Sequence, residues 1–203
     1  AAQESHVIAM RSAFAQQGMS CHVQHAHDSL IFRTSKGIPG SSSHSAIELF
    51  PDESMKLTVP GVMLDHRTQE EALSKISALG IEVPSNALFI GATETLRRLT
   101  RMASLLDRYV RQRDISWTNY AVAYELENMA GVMLWSETET YARYIKKHGM
   151  LFCGTTDCRS RIRYLDDGVH GSFRARQFAG SHFFEACGLP LGSPSKEDND
   201  LVD

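Results

Sequence analysis

Three cysteines and a histidine stand near the end of the chain as two close pairs. Cys153-Gly154-Thr155-Thr156-Asp157-Cys158 is followed, 23 residues later, by His182-Phe183-Phe184-Glu185-Ala186-Cys187. A tetrahedral zinc site wants four thiolate or imidazole ligands, and structural sites commonly take them as two such pairs, one on a turn and one on a short helix or loop. Gly154 and Thr155 suit the turn inside the first pair. Cys153, Cys158, His182 and Cys187 are therefore the candidate ligands of a structural Zn2+. Other uses remain open for these residues: buried thiols, a surface His182, or a Cys187 partnered with Cys21.

Over residues 150–188 the segment resembles the zinc knuckles. Arg159 to Leu165, a turn at Asp166-Asp167-Gly168, and Phe173 to Phe178 read as a hairpin between the ligand pairs. With a following helix this predicts a ββα or treble-clef module. Arg159, Arg161 and Arg163 alternate along the first strand, and Arg174 and Arg176 along the second, so each set falls on one face of a strand. A guanidinium keeps its charge and donates in a planar fork that matches phosphate oxygens. On the long helix further upstream, Arg97, Arg101, Arg108 and Arg111 share about 80° of arc at 100° per residue. Both sets are candidate phosphate contacts. The competing account is a solvated basic face. Ile90 and Leu105 interrupt the polar side of that helix and raise a further expectation, coverage by a second copy of the chain.

Two other groupings could do chemistry. His22, His25, His27 and Asp28 lie within seven residues, but alternation along a strand separates His22 from His25 and His27, which favours a solvated strand edge over a metal triad. Cys21 beside them has no base and orienting partner in evident geometry, as nucleophilic catalysis requires. Glu48, Asp52, Glu53 and Lys56 weakly resemble the carboxylate and lysine grouping of a metal-dependent nuclease. No phosphate-cradling G-x-x-x-x-G-K-[ST], dinucleotide G-x-G-x-x-G, nucleophile-elbow G-x-S-x-G, metalloprotease H-E-x-x-H or zinc-deaminase pattern occurs.

The elements that must position these residues follow from periodicity. Ser12 to Gly18 closes a short helix. Leu30 to Phe32, Ala46 to Phe50 and Met55 to Val59 read as strands, separated by the Lys36 to Ser43 loop and the Pro51-Asp52-Glu53-Ser54 turn, and form a small antiparallel sheet over about 30–59. Thr68 with Glu71 forms a capping-box pattern for a helix over about 69–79 that Gly80 ends. Ser85 as N-cap starts a helix of some 25 residues whose apolar face is Leu88, Ala92, Leu96, Leu99, Ala103, Leu106 and Val110. Asn119 to Trp135, apolar on almost every side, reads as a central helix. Ser136 with Glu139 starts a last helix that Gly149 ends.

The fold class expected is thus α+β. A body over 1–149 has the sheet and helices to about 148, a zinc-binding module covers 150–190, and an acidic disordered tail covers 191–203. Its 203 residues, 42% hydrophobic and 22% charged, exclude a disordered chain. The net charge of −3 conceals an uneven distribution: residues 97–176 hold 14 of the 21 Lys and Arg against nine acidic groups. No signal-peptide pattern opens the sequence and no apolar run reaches the roughly 20 residues of a bilayer span, so the expectation is a cytoplasmic protein without a membrane partner. The functional expectation is a non-enzymatic nucleic-acid-binding protein, a DNA-binding regulator or accessory factor. The alternatives are a homodimeric protein-interaction module and a metal-dependent nuclease.

Overall fold

Alternating burial shapes the first sheet. In the computed structural model, which describes residues 2–34, 44–123, 125–154, 158–159, 163–164 and 187–188, helix α1 (Ala2–Gln16) precedes β1 (His22–His25), β2 (Leu30–Arg33), β3 (Ala46–Leu49) and β4 (Met55–Thr58). Then come α2 (His66–Ala78), β5 (Phe89–Gly91), α3 (Ala92–Gln112), a 3-10 turn (Trp117–Asn119), β6 (Ala121–Val122), β7 (Glu125–Leu126), β8 (Met133–Trp135), α4 (Glu139–His148), β9 (Cys158–Arg159) and β10 (Arg163–Tyr164). The architecture is α+β, with four helices, a four-stranded antiparallel sheet and a small parallel pair among the described residues. Among the described residues no helix is long and apolar enough to cross a membrane. The chain divides into two units.

The first unit takes its described residues from the start to 60, from 97–122 and from 163–164. Strands β1 to β4 form a meander in sequence order. Leu30 and Phe32 on β2 are buried while Ile31 and Arg33 are not. Across the ladder Leu30 faces Leu49, Phe32 faces Ile47, and Ile47 faces Leu57. Direct cross-strand partners share a sheet face, so these residues form one apolar surface. Met10, Ala13 and Phe14 of α1 and Met102, Leu105, Tyr109 and Val110 of α3 belong to the same core. Strands β2, β3 and β4 fall within one residue of the three strands the sequence predicts, but β1 adds a fourth outside the expected 30–59 span, and α1 runs from Ala2 and is much longer than the Ser12 to Gly18 segment expected.

The second unit holds 61–96, the described residues from 123 to 159, and 187–188. Its centre is the parallel pair β5 and β8, in register Phe89↔Met133, Ile90↔Leu134, Gly91↔Trp135. Antiparallel bridges extend it on both sides, Met63 to Ile90 and Met133 to Phe152. Phe89, Ile90, Leu134 and Trp135 are buried, together with Ala72 and Ile76 of α2 and Tyr141, Tyr144 and Ile145 of α4.

Several boundaries move. Helix α3 starts at Ala92, not after Ser85, because Phe89-Ile90-Gly91 is spent on β5 and leaves Leu88 half exposed. The expected helix over 119–135 is absent: Asn128 and Gly131 adopt left-handed φ of 58° and 72°, which a continuous helix does not accommodate. Its apolar end is instead a strand covered on both faces, which has the same all-apolar signature as a buried helix. The N-cap of α2 is Asp65, whose carboxylate accepts from Thr68 N at 2.8 Å, so the helix begins at His66. The N-cap of α4 is Thr138, accepting from Tyr141 N at 3.2 Å, and not Ser136. Gly80 and Gly149 do stand at the ends of these helices with φ of 76° and 88°. Segment 158–164 pairs with 121–126, through Glu125↔Arg159 and Val122↔Arg163. The expected partner strand 173–178 and the acidic tail 191–203 lie outside the described residues.

Candidate metal centre and basic surface

Cys153 sits in the buried core of the second unit. Its amide donates to Val132 O at 3.1 Å, its carbonyl accepts from Gly131 N at 2.8 Å, and the residue is fully buried. Cys187 is 1% exposed. The chain turns after it through Gly188, at φ 88°, where a Cβ would lie 4.0 Å from the Phe152 carbonyl oxygen. The first and last of the four candidate ligands, 34 positions apart, thus come from chain segments that pass beside each other. Tyr141 borders this place: burial pushes its phenol well above the usual range, and the negative charge of a Cys187 thiolate adds to that. Its hydroxyl donates to Leu134 O. No disulfide is formed at Cys21, Cys153 or Cys187, so the Cys21 to Cys187 bridge is not formed. Cys158 is described by its backbone pairing with Leu126, and His182 lies outside the described residues. Two thiols shielded from water are a fit beginning for a closed, sulfur-rich structural zinc site. Among the described residues no group of three His, Cys, Asp or Glu side chains is placed to hold a metal.

The arginines of α3 are exposed at 97, 101, 108 and 111. Arg101 Nη2 donates to the Gln17 carbonyl at 2.5 Å, past the end of α1, and Arg108 Nη1 donates to Gln16 Oε1 at 3.1 Å. Arg111 pairs with Asp107 one turn back at 2.9 Å. Arg101, Arg108 and Arg111 therefore have a structural employment that periodicity could not reveal. Ile90 and Leu105 are both fully buried within the chain, so they do not ask for a second copy to cover them. Of the module's arginines, Arg159 and Arg163 are described by backbone pairing, while Arg161, Arg174 and Arg176 lie outside the described residues. The basic positions that pattern reading passed over are on α4: Arg143, Lys146 and Lys147 are all exposed.

The histidine group belongs to an edge. β1 is the outer strand of the meander, His25 is exposed, and His27 Nε2 stands 3.7 Å from Asp28 Oδ1 with both side chains largely in solvent. His25, His27 and Asp28 do line a cleft of about 310 Å³ whose floor includes Leu30, Leu49 and Phe50. His6 also reaches it, with its Nδ1 2.7 Å from the Tyr109 hydroxyl. Cys21 is an inert thiol: partial burial pushes its pKa up to about 11, with Arg11 opposing. The acidic grouping is occupied locally. Glu48 Oε1 accepts from Ser29 Oγ at 2.5 Å, Asp52 caps its own turn through Ser54 N and Oγ at 3.0 and 2.6 Å, and Glu53 stands 4.0 Å from Arg113.

No protein-family model, no curated protein and no solved structure matches this chain.

Proposed function

We propose that the chain is a nucleic-acid-binding protein, a DNA-binding regulator or accessory factor, whose C-terminal module is clasped by a structural zinc ion on Cys153, Cys158, His182 and Cys187. The observation that carries the reading is the shared burial of Cys153 and Cys187, with the chain after Cys187 running beside Phe152. Sulfur ligands held away from water and bracketing a 33-residue segment are what a metal clasp needs. The metal supplies folding free energy, and Arg159, Arg161, Arg163, Arg174 and Arg176, all between the two buried thiols, supply positive charge for phosphates. Arg101, Arg108 and Arg111 of α3 act first as struts to the end of α1 and to Asp107. This is binding without catalysis, in keeping with an inert Cys21 and locally paired carboxylates.

Metal analysis joined to a salt titration tests it. About one zinc per chain is expected, falling below about 0.5 in Cys158→Ser. Duplex DNA binding should weaken with salt at a log-log slope of about −4 to −5 for five phosphate contacts. Zinc-free wild-type protein, or binding indifferent to salt, overturns the reading.

A further inference from the structure

We infer that the exposed face of α4 is a second phosphate-contacting surface, laid against the nucleic-acid backbone. The inference rests on the nucleic-acid reading and adds to it residues that no arginine alternation marks. With Arg143 as reference at 100° per residue, Lys147 stands at about 40° and Lys146 at about −60°, whereas Tyr144, Tyr141 and Ile145 occupy about 100° to 200°. The three cations are exposed and the three opposing residues are buried. Burial therefore fixes the helix's rotation and turns the basic stripe outward.

Helix polarity accounts for only part of this stripe. Cations in a last turn gain roughly 0.3–1 kcal/mol from the helix dipole, an effect confined to that turn. Lys146 and Lys147 qualify, but Arg143 is the fifth of ten residues. Neutralisation inside the protein does not account for Arg143 and Lys146 either. Some other exposed cations lie against acids, as Arg67 does with Glu71, Lys75 with Glu137 and Arg111 with Asp107, while Arg101 and Arg108 donate to Gln17 and Gln16. Among the described residues neither Arg143 nor Lys146 has such an ion pair. Glu137 precedes the helix and pairs with Lys75, and Glu139, which opens it one turn before Arg143 on the same exposed face, forms no ion pair with Arg143 among the described residues, so the stripe keeps an excess of positive charge. His148 is turned aside, its ring 4.6 Å from that of Tyr144. Only four residues separate the helix from Cys153. A polyanion whose charges recur along a strand is the occupant whose charge complements this face, and phosphate contacts of this kind position a protein without reading sequence.

The experiment compares salt titrations of the zinc-loaded full chain on a fluorescent duplex of arbitrary sequence. The double variant Arg143→Gln with Lys146→Gln should show a slope shallower by about 1.8, at about 0.9 per contact. Arg67→Gln, which removes one exposed charge from α2, should leave the slope unchanged, and Arg143→Lys should preserve it. Thermal midpoints close to wild type establish that the variants fold. A wild-type slope retained in the double variant overturns this inference and leaves the nucleic-acid reading intact. An equal flattening in Arg67→Gln overturns it too, since net charge alone would then explain the effect. Absence of duplex binding by the zinc-loaded wild type removes both.

Discussion

His6 is a half-buried imidazole in a site that prefers it neutral. Burial lowers its pKa below the ordinary 6.5, and the nearby Arg113 guanidinium lowers it further, against a smaller opposing effect of Glu53. With the ring neutral, Tyr109 donates its hydroxyl proton to Nδ1, joining α1 to α3; burial holds that phenol protonated, with its pKa pushed up to about 12. The unfolded chain binds a proton near pH 6.5 that the folded chain resists, so folding stability falls as pH drops below 6.5 and this group contributes no pH dependence well above it. Denaturant midpoints measured from pH 8 to pH 5 should decline less in His6→Gln than in wild type. Parallel profiles would show that the fold does not hold His6 neutral. Arg101 makes a companion case. Because it bonds a backbone carbonyl beyond α1, Arg101→Ala should cost about 1 kcal/mol of unfolding free energy, an exposed charged hydrogen bond being at the lower end of its class. If Arg101→Ala leaves the denaturant midpoint unmoved, the strut is not a stabilising one.

Caps and strands show what periodicity conveys and what it hides. The meander could be read from the sequence because Leu30, Phe32, Ile47 and Leu49 alternate with wetter neighbours, and only a sheet covered on one face has that period. The parallel pair could not. Phe89-Ile90 and Met133-Leu134-Trp135 carry no period, and a strand covered on both faces then looks like a buried helix until Asn128 and Gly131 show the left-handed turn between them. The candidate ligands were readable as spacing, but the approach of Gly188 to Phe152 joins residues far apart in the chain. The basic face of α4 escaped because it mixes Arg and Lys at helical spacing. Its N-cap was displaced by two residues for a local reason: Ser136 and Thr138 both offer hydroxyls, 3.3 Å apart, and it is Thr138 that meets Tyr141 N. Thr138→Ala should therefore destabilise the protein by about 1 kcal/mol, the usual cost of a lost cap, while Ser136→Ala should cost less than about 0.5 kcal/mol. Equal losses from the two variants, measured by denaturant unfolding, would reassign the cap.

At the scale of the whole chain, the two units differ in what the proposed zinc ion would do for them. The first has a core drawn from residues 10 to 117, with the sheet, α1 and α3 all contributing large buried side chains and none of the four candidate ligands among them. The second brings both buried candidate thiols to its own sheet, where Cys153 exchanges hydrogen bonds with Gly131 and Val132. Structural zinc binds with roughly 10–16 kcal/mol in small modules, as much as the entire 5–15 kcal/mol that ordinarily separates a folded domain from its unfolded state. If the proposed zinc holds them, stripping it would uncover the thiols and leave them to reprotonate in an apolar setting, so the cost should concentrate where they lie. Hydrogen exchange on chelator-treated protein is therefore expected to accelerate at least tenfold at the Gly131 and Cys153 amides, a change of about 1.4 kcal/mol in local opening. The ladder amides of Phe32 and Ile47, in the core of the other unit, should keep their protection. Uniform acceleration would mean that the metal supports the whole chain rather than one unit, and unchanged exchange at Cys153 would mean that its burial owes nothing to zinc.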